Sequence, residues 1–220
     1  PQTKAGALNP PPIGQKGSMF MRRFIQLQLG LCLYGVAAAM MVRSNLGLDP
    51  WNVFHQGLSL KTGMSLGTAS IIMGVLVMLA WIPLRQKPGL GTLFNIFVIG
   101  LSMDAALAVL PEITGLPLRL AFMTAGVTLT AMGGAAYIGA GMGTGPRDGL
   151  MIGLNQRLGW SIRVSRMLIE VSVLAGGWLL GGSVGLGTVV FAVGIGPLIQ
   201  VFLPWFQALG RGERRAAPST

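Results

Sequence analysis

One stretch of the chain returns at a fixed offset of 96 residues. Gly89-Leu90-Gly91-Thr92 reappears as Gly185-Leu186-Gly187-Thr188. At the same offset Gly30 aligns with Gly126, Gly47 with Gly143, Pro50 with Pro146, Gly57-Leu58 with Gly153-Leu154, Gly63 and Ser65 with Gly159 and Ser161, and Gly100 with Gly196. Seven glycine pairs coincide without a gap, where 34 glycines in 220 residues would give about two or three by chance. The fold must therefore be built from two copies of one unit.

That unit belongs in lipid. The chain is 52% hydrophobic and 10% charged, against about 25% charged in a soluble domain. Several apolar runs reach the ~20 residues that cross a bilayer core. The expected class is an all-α polytopic membrane protein in contact with the lipid bilayer, with spans at 24–42, 66–84, 90–110, 120–142, 167–184 and 186–206. Residues 21–115 form the first repeat and 116–210 the second, between a disordered N-terminal segment, 1–20, and a tail, 211–220. The first segment is polar, with no apolar run of a secretory signal. Trp81, Trp160 and Trp205 fall where interfacial rings are expected.

The single Cys32 excludes an internal disulfide framework and a Cys-based metal site, and the single His55 argues against a metal centre or a Ser–His triad. No catalytic residue, metal or cofactor is expected, and the chain does not read as an enzyme. Its net charge of +10 fits basic cytoplasmic loops rather than a nucleic-acid partner. With both termini placed inside, thirteen of the sixteen basic residues fall on the cytoplasmic side, and only Arg43, Lys61 and Arg119 outside. Three spans per repeat is an odd number, so the copies cross in opposite senses, as in inverted-repeat transporters.

Between the first and second span of each repeat lies a segment opened by proline. The first reads Asp49-Pro50-Trp51-Asn52, the second Gly145-Pro146-Arg147-Asp148. Proline suits the first helical turn, and Asp49 suits an N-cap. About ten helical residues cover roughly 15 Å, half a bilayer. Each segment is either a re-entrant half-helix lining a polar path or an amphipathic helix lying at the interface.

The chain resembles the YczE/YyaS/YitT family of bacterial integral membrane proteins. The resemblance rests on Gly143-Thr144-Gly145-Pro146-Arg147-Asp148-Gly149-Leu150-Met151, Arg166, Glu170, the run from Gly176 to Gly182, both Gly-Leu-Gly-Thr copies, Ile195-Gly196-Pro197 and Asp49-Pro50-Trp51-Asn52. It implies a multi-pass protein of the bacterial cytoplasmic membrane, and supplies no substrate. It also implies a first motif ending in an acid after the tryptophan, where this chain has Asn52 and carries its acid at Asp49.

Charged residues inside spans complete the pattern. Asp104 lies deep in the third span, and Gln200 is its repeat partner. A carboxylate at that depth costs at least ~2.5 kcal/mol, so it serves either an ion relay or a hydrogen bond between helices. Glu170 follows Arg166 by one helical turn. The two form a structural ion pair, or with Arg147 and Arg163 a substrate site at the inner mouth. Thr92 and Thr188 are expected as N-caps. Small residues four apart, such as Gly177 and Gly181, permit close helix packing and leave room for a homo-oligomer. The favoured function is a transporter or channel for a small polar solute or ion, its path running between the repeats. A non-catalytic membrane scaffold is the alternative. The pathway candidates are Asp49, Pro50, Asn52, Asp104, Pro146, Arg147, Asp148, Arg166, Glu170 and Gln200.

Overall fold

The computed structural model describes residues 13–211, and among these every regular element is a helix. In chain order they are α1 Ile13–Ser44, α2 Pro50–Thr62, α3 Leu66–Leu79, α4 Trp81–Leu84, α5 Leu90–Val109, α6 Leu116–Ala140, α7 Pro146–Leu158, α8 Ile162–Leu179 and α9 Leu186–Arg211. Helix α1 starts at Ile13, within the segment expected to lack structure; residues 1–12 and 212–220 lie outside the described part.

The sequence repeat is written into the helix boundaries. Helices α2 and α7 start at Pro50 and Pro146, α3 and α8 at Leu66 and Ile162, and α5 and α9 at Leu90 and Leu186, each pair 96 apart. Gly63 and Gly159 close α2 and α7 at φ 77° and 70°, a left-handed cap that glycine adopts without a Cβ clash. Ser65 and Ser161 then cap α3 and α8 through backbone N–H groups of Thr68 and Val164.

Packing is reciprocal between the halves. Helices α1 and α6 cross at the centre, where glycines bring their backbones together. A Cβ on Gly30 would lie 2.9 Å from the Tyr137 nitrogen, and one on Gly126 would lie 2.7 Å from Met41 Cγ. Met41 and Tyr137 are themselves repeat equivalents. The Gly-Leu-Gly-Thr segments tie each half to the other's broken loop: the Gly91 N–H donates to the Met142 carbonyl at 2.9 Å, and the Gly187 N–H to that of Leu46 at 2.7 Å. The threonines sit one turn later than an N-cap. The Gly89 and Gly185 N–H groups each donate to a threonine Oγ1, of Thr92 and Thr188 respectively, at 3.2 Å, so Thr92 and Thr188 reach back to the cap.

Among the described residues, five segments are long and apolar enough to cross a bilayer: Gly17–Ser44, Leu66–Leu84, Leu90–Val109, Leu116–Ala140 and Leu186–Leu209. The span expected at 167–184 falls largely in α8, which is not among the five and carries Arg163, Arg166 and Glu170. Large apolar side chains such as Leu101, Val189 and Val193 stand exposed on the long helices, the outward face that bilayer contact requires. Trp81 departs from its expected interfacial place. It is 2% exposed, and its indole N–H donates to the Pro146 carbonyl at 3.0 Å, so it is a core residue tying α4 to α7.

Candidate functional site

Both short helices point their N-termini inward. On α2, Pro50, Trp51, Asn52 and Val53 are buried while Leu60 to Thr62 are exposed; on α7, Gly145 and Pro146 are buried while Gln156 to Leu158 are exposed. The partial positive charge of a helix start, roughly half an elementary charge each, is thus delivered twice to the interior. The two ends meet: Arg147, on the first turn of α7, brings a guanidinium nitrogen to 3.8 Å from Oδ1 of Asp49, the N-cap of α2.

A cavity of about 330 Å³ opens at this junction. Its walls include Asp49, Pro50, Pro146, Arg147, Asp148, Arg166, Glu170 and Gln200, together with Tyr34, Trp51, His55, Asn95 and Tyr137. Eight of the ten residues singled out in the sequence therefore surround one space.

Each acid there is held by a neighbour. Asp49, 3% exposed, accepts from the Asn52 backbone N–H at 3.3 Å and from Asn52 Nδ2 at 2.5 Å. Asn52 does not line the cavity. It stands behind Asp49 and pairs its Oδ1 with His55 Nδ1 at 3.2 Å. Asp148 accepts the Tyr137 hydroxyl at 2.9 Å. Glu170 accepts from Arg166 Nε at 2.9 Å. Arg147 is held more loosely. Its guanidinium lies 4.6 Å over the Trp51 ring, its only ion pair among the described residues is the long one to Asp49, and its side chain keeps 28% exposure. Gly145, the N-cap of α7, has no side chain with which to cap that helix, whereas Asp49 caps α2. The site thus offers a planar donor fork beside a helix start, with carboxylates around it. Such a surface can bind polar or charged groups. Among the described residues no three His, Cys, Asp or Glu side chains gather into a metal-sized cluster.

Asp104 lies elsewhere. Its Oδ1 accepts the Gly67 N–H at 2.8 Å and its Oδ2 the Ser65 hydroxyl at 2.5 Å, so it holds the start of α3 against α5. Asp104→Leu strands the Gly67 N–H, while the exposed Ser65 hydroxyl can turn to Thr68 Oγ1 at 2.8 Å, and is expected to cost about 1–3 kcal/mol. Asp104→Asn keeps an acceptor and costs less. Thermal melting of the two purified variants checks this order.

Sequence reasoning passed over Tyr34, Asn95 and Tyr137. A signal was present: these are the chain's only two tyrosines and an amide, all in apolar helices, and a buried hydroxyl or amide needs a polar partner.

Comparison with known proteins agrees with the membrane reading. Residues 21–204 match a family of unknown function, DUF6198. An uncharacterized protein of Haemophilus influenzae is 44% identical over 177 residues, 80% of this chain and 81% of that protein. The uncharacterized membrane protein YczE of Bacillus subtilis is 31% identical over 177 residues, 80% of this chain and 82% of its own length. YyaS of the same organism is 25% identical over 186 residues, 83% and 92% of the two chains. No solved structure matches. The chain is a membrane protein and belongs to the DUF6198 family, alongside relatives that include YczE.

Proposed function

We propose that this protein is a transporter or channel for a small polar solute or ion, and that the solute binds where α2 and α7 meet. The observation that carries this reading is the cavity of about 330 Å³, ringed by five charged side chains and two buried helix starts. Retaining so many charged groups within an apolar helix bundle is costly, and such residues commonly mark solute or ion paths. In this reading α8 is a sixth span, its charges turned to the cavity, and the halves are inverted repeats about an axis in the membrane plane. The reciprocal contacts at offset 96, Gly91 with Met142 and Gly187 with Leu46, support that relation. The basic-residue distribution supports a bacterial cytoplasmic membrane location with both termini inside. No catalytic step is assigned.

The experiment is membrane-impermeant thiol labelling in intact cells and inverted vesicles. The exposed Cys32 is first replaced by serine, and single cysteines are placed along 53–58 and 149–154. The first set is expected to label from outside and the second from inside. Labelling of both sets from one face sinks the inverted arrangement. Opposite labelling without flux of any solute from reconstituted vesicles favours the scaffold.

A further inference from the structure

The offset that aligns the two halves also shows where they differ. On α3, Gly67 and Gly74 press against α5: a Cβ on Gly67 would lie 2.5 Å from the Asp104 carboxylate, and one on Gly74 would lie 3.1 Å from Ile96 Cγ1. From the other side, a Cβ on Gly100 would lie 2.7 Å from both the Gly67 carbonyl oxygen and Ile71 Cγ1. The equivalents of Gly67 and Gly74 in the second half are Arg163 and Glu170, and the equivalent of Gly100 is Gly196. Side chains of that size do not fit the α3–α5 spacing. Accordingly α8 packs on α2 and α7 instead of closing onto α9. A Cβ on Gly196 meets nothing within 4 Å.

The space left between α8 and α9 is a crevice of about 220 Å³, lined by Arg166, Glu170, Phe191, Ile195 and Pro197 among others. It joins the central cavity, since Arg166, Glu170, Phe191 and Ile195 line both. Residues beside it on the two helices, Met167, Val171 and Val193, are 59%, 59% and 73% exposed. An apolar slot open to the bilayer on one side, with a charged end, has the shape of an amphiphile site.

We propose that this crevice docks one anionic membrane lipid, with an acyl chain between α8 and α9 and its phosphate against Arg163 and Arg166. Charge selects the occupant. Arg163 and Arg166 stand in the first turns of α8, Arg157 lies just upstream, and Glu170 is the sole acid of α8. Trp160, 44% exposed in the turn before α8, suits the headgroup layer. The inference rests on the reading of α8 as a sixth span but not on transport, because it concerns a bilayer-facing opening and not the solute.

The test is native mass spectrometry of the full chain released from nanodiscs holding equal amounts of phosphatidylglycerol and phosphatidylcholine. The wild type is expected to keep one phosphatidylglycerol in preference to phosphatidylcholine. Gly196→Phe fills the open crevice and is expected to lose the adduct with an unchanged melting temperature. Should that variant fail to fold, Ala192→Leu is the smaller plug and is expected to lose part of it. Combining Arg163→Gln, Arg166→Gln and Glu170→Gln is expected to lower the preference for the anionic lipid by about fivefold. Absence of an adduct on the wild type, equal retention of both lipids, or an adduct undiminished by either plug overturns the proposal. A dimer that Gly196→Phe dissociates, with no lipid bound, overturns it in favour of a second copy in the crevice.

Discussion

Gly149→Val is expected to abolish the folded protein. A Cβ at Gly149 would stand inside the indole of Trp81, which is fixed by its N–H bond to the Pro146 carbonyl and is 2% exposed. Neither α4 nor α7 can yield without breaking that bond, so the overpacking costs more than about 3 kcal/mol. That is a large share of the roughly 5–15 kcal/mol that holds a typical domain together. The repeat supplies the remedy. Offset by 96, Gly149 corresponds to Val53 and Trp81 to Gly177. In the other half the bulk is carried by the short helix, and a Cβ on Gly177 would clash with the Phe54 backbone nitrogen. The two pairs are the same contact with large and small exchanged. Gly149→Val combined with Trp81→Ala should therefore restore a monodisperse peak in size-exclusion chromatography of the detergent extract, at a lower melting temperature because the indole's burial and bond are gone. A double variant no better than Gly149→Val alone would show that the two contacts are not equivalent.

The same comparison shows what a reader of the sequence can and cannot see. The starts of the short helices were legible because their causes are local, Pro50 and Pro146 at first turns and Asp49 as the cap of α2, whereas Gly63, Gly159, Ser65 and Ser161 stood out only as repeat matches and show their capping roles in the structure. The direction of the short helices was not legible, since burying a proline-opened start or exposing it depends on what packs around it. Trp81 reads as an interfacial ring until α7 is seen to cover it. Asp104 reads as either an ion relay or an acid bonding two helices until the start of α3 is seen to supply its donors. The cavity was half legible. Its charged members announce themselves by their cost in an apolar chain, whereas Tyr34, Asn95 and Tyr137 come from three helices distant in sequence, and only the α1–α6 crossing and the seat of α5 bring them to one wall.

On the proposed transport reading, substitution of Arg147 is expected to have the largest functional effect. Its guanidinium is stacked on Trp51 and reaches Asp49 only at 3.8 Å, so its donors are freer than those of Arg166, which donates to Glu170 at 2.9 Å. For whichever solute wild-type vesicles take up, Arg147→Met is expected to lower uptake by about tenfold or more, the scale of one lost charge-assisted contact. The fold should survive. Removing one partner of a buried pair costs about 3–5 kcal/mol when the other charge is left bare, but Asp49 keeps both bonds from Asn52, and the loss should be nearer 1–2 kcal/mol. Arg147→Lys separates charge from shape. It retains the cation and gives up the planar fork and its stacking, so uptake should fall between wild type and Arg147→Met. Asp49→Asn can still cap α2 and relieves Arg147 of its only ion pair among the described residues. It also sets an amide N–H against Asn52 Nδ2 where Oδ2 had accepted, so stability should fall by about 1–2 kcal/mol, and its effect on uptake should be distinct from that of Arg147→Met. Uptake by Arg147→Met equal to wild type, in protein that melts within a few degrees of it, would remove the cavity from the solute's path and leave the Asp49–Arg147 contact as a strut between the two short helices.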